Sequence, residues 1–145
     1  MKLKKQLILG LLLATSINVM AQEQVVPFNK MPIEIQKYVK TNFPKNTVLK
    51  SEIEKEGQKV GYDVRLSENI KLEFDKKYQV TKIFGRSKLP DKVIPSKINN
   101  YVKKHYSQNV IMKWKQEKNK QVIMLDNEFE LEFDLQGNLL KVIDQ

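Results

Sequence analysis

The sequence predicts an α+β fold: two tandem helix-plus-antiparallel-strand repeats sharing one antiparallel sheet, with the helices on one face. Three observations carry this. The tetrapeptide LEFD occurs twice, at residues 72–75 and 131–134. The stretch PIEIQKYVKTNFPKNTVL, from Pro32 to Leu49, aligns with PSKINNYVKKHYSQNVIM, from Pro95 to Met112, at an offset of 63. In both copies the apolar period then changes from helical spacing to strict alternation.

In chain order, Lys2, Lys4 and Lys5 precede an apolar run from Leu7 to Ile17, followed by small residues ending at Ala21. Residues 1–21 therefore read as a secretory signal peptide, and no Cys follows that a lipid anchor would need. Eleven helical residues span about 16 Å, against roughly 30 Å of bilayer hydrocarbon, so an anchor is too short and no membrane span is expected after cleavage. Residues 22–29 form an N-terminal segment, 30–86 the first repeat and 87–145 the second. The expected location is periplasmic or secreted.

Each repeat opens with a helix. Ile35, Tyr38, Val39 and Phe43 make one apolar stripe, with Lys37 and Lys40 on the other side, and Pro32 and Pro95 suit a first helical turn. Beyond it the offset falls to 59, pairing Val64 with Ile123, Leu66 with Leu125, Leu72 with Leu131, Phe74 with Phe133 and Ile83 with Val142. The difference of four fits a longer first hairpin around EKEGQKVG. Tyr62, Val64 and Leu66 alternate with Asp63 and Arg65; Phe129, Leu131 and Phe133 alternate with Glu130, Glu132 and Asp134. These are half-buried antiparallel strands. Gly137 suits the left-handed position of the turn after the second LEFD. Tyr78 holds that place in the first copy, where positive φ would be strained, so a differently shaped turn is expected there. A lone unit has a one-sided, marginal core. Joining the two predicts six to eight strands with one open face, and GRSKLPDKVIP, from Gly85 to Pro95, is the connecting linker.

Composition narrows the function. Signal cleavage leaves 124 residues with no Cys, enough for one domain that needs no disulfides. Net charge is +9, about +6 after cleavage, but only Arg65 and Arg86 are arginine and the lysines are interleaved with acids along the whole length. That favours a solvated surface over a nucleic-acid patch, and no nucleic-acid partner is expected.

The mature chain has one His and no glycine-rich loop, so phosphate cradles, zinc sites and the usual nucleophilic triads lack their parts. His105 matches Asn42 and reads as a boundary helix residue. Glu130, Glu132 and Asp134 share one strand face, which raises a calcium or hydrolytic site. Alternation with apolar residues, and Lys71, Lys113 and Lys141 as cross-strand neighbours, favour an ordinary exposed strand instead. Calcium should then leave the melting temperature unchanged, and neither metal nor cofactor is expected. Trp114, which matches Ser51, reads as core. Val122 and Met124 replace Asp63 and Arg65, adding apolar atoms to the face turned away from the helices.

The order of features, a signal followed by two copies of a Pro-started helix ending near FP or HY and strands closing in LEFD plus a turn, resembles the PepSY-like, β-lactamase-inhibitor-like secreted proteins of Bacteroidota. The resemblance covers about Lys30 to Ile143. It implies a fold like β-lactamase inhibitory protein, an envelope location and no catalytic residue. The resulting expectation is a non-enzymatic module binding a protein or peptide in the cell envelope through its open sheet face, as an inhibitor or regulator, through Asp63, Arg65, Glu73, Val122, Met124, Glu130 and Glu132. The alternative is an envelope sensor or accessory domain for peptidoglycan or polysaccharide. A monomer or weak dimer is expected.

Overall fold

The computed structural model describes residues 20–144, so the expected signal peptide, apart from Met20 and Ala21, lies outside the described residues. The first copy runs α1 (Ile33–Asn42), β2 (Val48–Glu56), β3 (Lys59–Leu66), β4 (Ile70–Phe74) and β5 (Val80–Phe84). The second runs α2 (Ser96–His105), β6 (Ile111–Gln116), β7 (Lys120–Leu125), β8 (Glu130–Asp134) and β9 (Leu139–Ile143). With β1 (Gln22–Val25) in front, the strands form one antiparallel sheet in simple sequence order.

Nine strands replace the expected six to eight. The additional strand is β1, which pairs with β2. β2 has nine residues against six in β6. Val25 to Gln22 pair along the outer edge of β2 with Glu52 to Lys55, of which Glu54 and Lys55 lie in its added length. All four β1 residues are exposed, so backbone pairing rather than burial holds this strand.

The two copies share one core. Val64, Leu72, Ile83, Trp114, Ile123 and Leu131 face one another in successive cross-strand pairs, and none is more than 5% exposed. The row passes through the β5–β6 seam where the copies meet. Ile35 and Val39 of α1, and Ile98 and Val102 of α2, belong to the same cluster. Each aliphatic side chain so buried contributes about 1.5–3 kcal/mol relative to exposure. Tyr38 meets Phe74 edge-on at 5.5 Å, and the equivalent Tyr101 meets Phe133 at 5.5 Å.

Local details repeat as well. Pro32 and Pro95 are the N-caps, one residue before the helices rather than within their first turns. Leu49 and Met112 are the unpaired residues of equivalent β-bulges, and Thr81 and Leu140 of a second pair. The segment between the copies is more than a linker: Asp91–Val93 forms a 3₁₀ turn matching Phe28–Lys30. Met31 and Ile94 are both buried behind these turns.

The turns after LEFD are the same in both copies, against expectation. Asp75 Oδ1 accepts from the backbone N–H of Lys77 and Gln79, and Asp134 Oδ1 from those of Gln136 and Asn138. Tyr78 adopts φ 64° where Gly137 adopts φ 82°. The two hydrogen bonds to the aspartate define the turn whatever residue fills the left-handed position. The Tyr78 ring packs edge-on against Tyr62 at 5.4 Å, which offsets the strain.

Candidate functional site

Cross-strand partners in a sheet point the same way, so the residues alternating with the core row occupy the opposite surface. One row on it passes from Glu52 through Asp63, Glu73, Lys82, Lys115, Val122 and Glu132 to Lys141. The adjacent row passes from Lys50 through Arg65, Lys71, Phe84, Lys113 and Met124 to Glu130. All seven expected partner-binding residues fall on these two rows. The structure does not bring them into one cluster. Asp63, Arg65 and Glu73 lie on β3 and β4, while Val122, Met124, Glu130 and Glu132 lie on β7 and β8. The intervening β5 and β6 keep the groups roughly 15–20 Å apart at the usual strand spacing.

Long side chains carpet this surface. Lys71 Nζ lies 2.6 Å from Asp63 and 3.2 Å from Glu73, and Lys82 Nζ lies 3.0 Å from Glu73. Asp63 is 4% exposed and Glu52, paired with the Lys50 ammonium, 3%. Burial alone would lower the Lys71 ammonium, but its hydrogen bonds to Asp63 and Glu73 and their charges outweigh this and raise it. Burial likewise pushes the Glu73 carboxyl up, and the hydrogen bonds and charges of Lys82 and Lys71 bring it below its ordinary value. Glu54 is raised, first by burial and then by the charge of Asp63. The β3–β4 group is therefore a charge-compensated network.

The β7–β8 group differs. Lys120 Nζ lies 2.6 Å from Glu132, and Lys113 Nζ 3.7 Å from Glu130. Lys71, expected beside the β8 carboxylates, serves the first copy instead. Val122 does face away from the core, but it is only 7% exposed between Lys115 and Glu132. The stems of such side chains cover apolar surface while their heads stay wet. The apolar contribution here therefore comes mainly from Met124. Asp134 is held below the ordinary range by hydrogen bonds from Asn138 and Gln136, so its oxygens serve the turn. Among the described residues no three His, Cys, Asp or Glu side chains are arranged to hold a metal ion.

His105 is exposed and stacks on Tyr101 at 4.3 Å. Trp114 is core, its Nε1–H donating to Gln121 Oε1 at 3.0 Å. Lys50, Glu52, Lys82 and Phe84 share the candidate surface although sequence reading did not single them out. Alternation around Ser51 and Ile83 could have found them, but the bulges at Leu49 and Thr81 break the count.

A family model described as "Putative beta-lactamase-inhibitor-like, PepSY-like" matches residues 17–82 and again 61–141. The chain belongs to this PepSY-like family. Three crystal structures from Bacteroides resemble it throughout. A "putative calcium-regulated periplasmic protein" of Bacteroides thetaiotaomicron is 27% identical with a TM-score of 0.81, covering 84% of this chain and 97% of that one. A "putative periplasmic protein from DUF2874 family" of Bacteroides vulgatus is 31% identical, TM-score 0.80, covering 85% and 98%. Another Bacteroides vulgatus periplasmic protein, described as of unknown function, is 29% identical, TM-score 0.79, covering 85% and 100%. No curated protein matches significantly. Among the described residues of this PepSY-like chain, no helix is long and apolar enough to cross a membrane.

Proposed function

We propose that the protein is a non-catalytic periplasmic module whose two helices cover one face of the sheet, leaving the other to bind a protein partner in the cell envelope. The observation that carries this reading is the pair of uninterrupted surface rows, which run across the seam between the copies with Met124 and Phe84 set among charges. Mixed apolar and charged surface on a rigid sheet suits protein recognition. The edge-on contacts of Tyr38 and Tyr101 with Phe74 and Phe133, all in one register, support placing both helices on the core side. The family description and the periplasmic relatives support an inhibitor or regulator in that compartment.

A photoreactive residue at Met124, and separately at the exposed Lys37 of α1, tests this in living cells. The expected result is one discrete protein adduct from position 124, none from 37, and loss of the adduct with Glu132→Lys. Adducts from position 37 alone would overturn the reading. Labelling of cell-wall glycan instead would favour the polysaccharide-binding alternative.

A further inference from the structure

Building on the proposed open-face reading, we infer that the first copy carries a cationic cleft for an anionic segment of the partner polypeptide, a carboxylate beside an apolar side chain. The cleft encloses about 520 Å³ where β2 begins, β3 ends and β5 runs out. Arg65 and Arg86, the only arginines in the chain and 21 positions apart, both line it. Lys50 and Lys71 join them, Leu49 and Phe84 supply apolar wall, and no carboxylate lines it. Lys50 and Lys71 are engaged by Glu52, Asp63 and Glu73, whereas among the described residues neither arginine forms an ion pair.

A guanidinium fork matches a carboxylate in geometry as well as charge, and two unpaired ones line this cleft. Leu49, thrown out of the ladder by its bulge, is 68% exposed against the same cleft. A free inorganic anion would gain nothing from that leucine or from Phe84. A peptide with an apolar residue next to its acid would gain from both.

The duplication supplies an internal control. Arg65 corresponds to Met124, Lys71 to Glu130, Asn69 to Glu128, and Arg86 to position 145, a glutamine. Asn69 and Glu128 both have positive φ, but Glu68 does too and its counterpart Asn127 does not, so the second copy turns here with a different backbone as well as the opposite charge around it.

The test uses fluorescence anisotropy of the full mature protein with a labelled peptide of alternating Leu and Glu, its Leu/Gln counterpart, inorganic phosphate as competitor, and phosphatidylglycerol vesicles. Binding of the acidic peptide, at least tenfold weaker binding of the Gln version, and at least tenfold loss with Arg65→Met plus Arg86→Gln are expected. The melting temperature should hold, because both arginines are exposed and neither forms an ion pair among the described residues. Peptide binding indifferent to the double substitution would overturn the cleft. So would displacement by stoichiometric phosphate, or arginine-dependent binding of the vesicles with none of the peptide. If the in-cell adduct at Met124 persists while these peptide results fail, the open-face reading stands and only the cleft falls.

Discussion

The two copies share their bulges and the turns after LEFD, yet they spend equivalent positions differently. Where the first has Ser51, the second has Trp114; where the first buries Asp63 beneath Lys71, the second has Val122 opposite Glu132. The Ser51 hydroxyl donates to the Val26 carbonyl at 2.6 Å, and Val26 N–H returns a bond to Ser51 at 3.0 Å, so position 51 fastens the incoming chain. Trp114 instead fills the seam between β5 and β6. The first copy's outer strand receives another strand, while the second copy's outer strand joins its neighbour. The copies thus keep the core row and the turn aspartates while differing at positions between them.

Removing the seam residue is the largest expected disturbance. Trp114→Ala should cost about 3–5 kcal/mol, from lost burial plus the unpaired Gln121 oxygen. Ser51→Ala, at the equivalent place, should cost only about 1 kcal/mol by loosening β1. Urea unfolding followed by far-ultraviolet circular dichroism should show a single transition in both variants. Two separate transitions, or equal costs, would mean that the copies do not share one core.

Turn chemistry gives the next largest contrast. Gly137→Ala places a Cβ 3.1 Å from Lys97 Cβ at φ 82°, and should destabilise by about 1–2 kcal/mol. Tyr78→Gly at the matching site relieves a comparable strain but forfeits the Tyr62 contact and adds chain entropy on unfolding. Its net effect should lie within about 1 kcal/mol of zero. Thermal melts read both. Stabilisation by Tyr78→Gly well beyond that range would show that the aromatic contact contributes little.

These contrasts also mark what a reader of the sequence could see. Helices, strands and the shared sheet were legible because period and repetition agree over residues such as Ile35, Val39, Leu72 and Leu131. β1 was not, because QEQV buries no side chain and is held by backbone pairing with β2. The Tyr78 turn departs from intrinsic φ preference because the two hydrogen bonds to Asp75 define it. The candidate surface was legible wherever alternation survived, as at Asp63, Glu73 and Glu132. Its organisation into two patches was not, since separation across the sheet depends on strand order. Nor could the cleft that Arg65 and Arg86 both line be read, because Arg86 lies beyond the last residue of β5 and outside any alternating pattern.

The smallest expected effect concerns charge and separates the copies by pH. Glu73, in the first copy, has its carboxyl lowered below the ordinary 4.5 despite its burial, because Lys82 and Lys71 outweigh the desolvation. A depressed carboxyl stabilises the fold above that unfolded value, and the contribution is lost as pH falls through the folded one. Lys71, raised above 10.5, contributes fully below that value and loses its contribution as pH rises past it. Glu54 acts in the opposite sense to Glu73, since burial and the charge of Asp63 raise it and acid relieves the repulsion. The partly exposed Glu73 pairs are therefore worth about 0.2–1 kcal/mol after solvent screening. Glu73→Gln should lower stability by that amount at neutral pH and converge on the parent as acid protonates Glu73. Glu132→Gln, whose position corresponds to Glu73 in the second copy, breaks only the Lys120 pair and should cost less at neutral pH. Denaturation midpoints at neutral pH and below 4.5 would decide it: a Glu73→Gln deficit that persists unchanged in acid would show that the side chain acts through packing rather than charge.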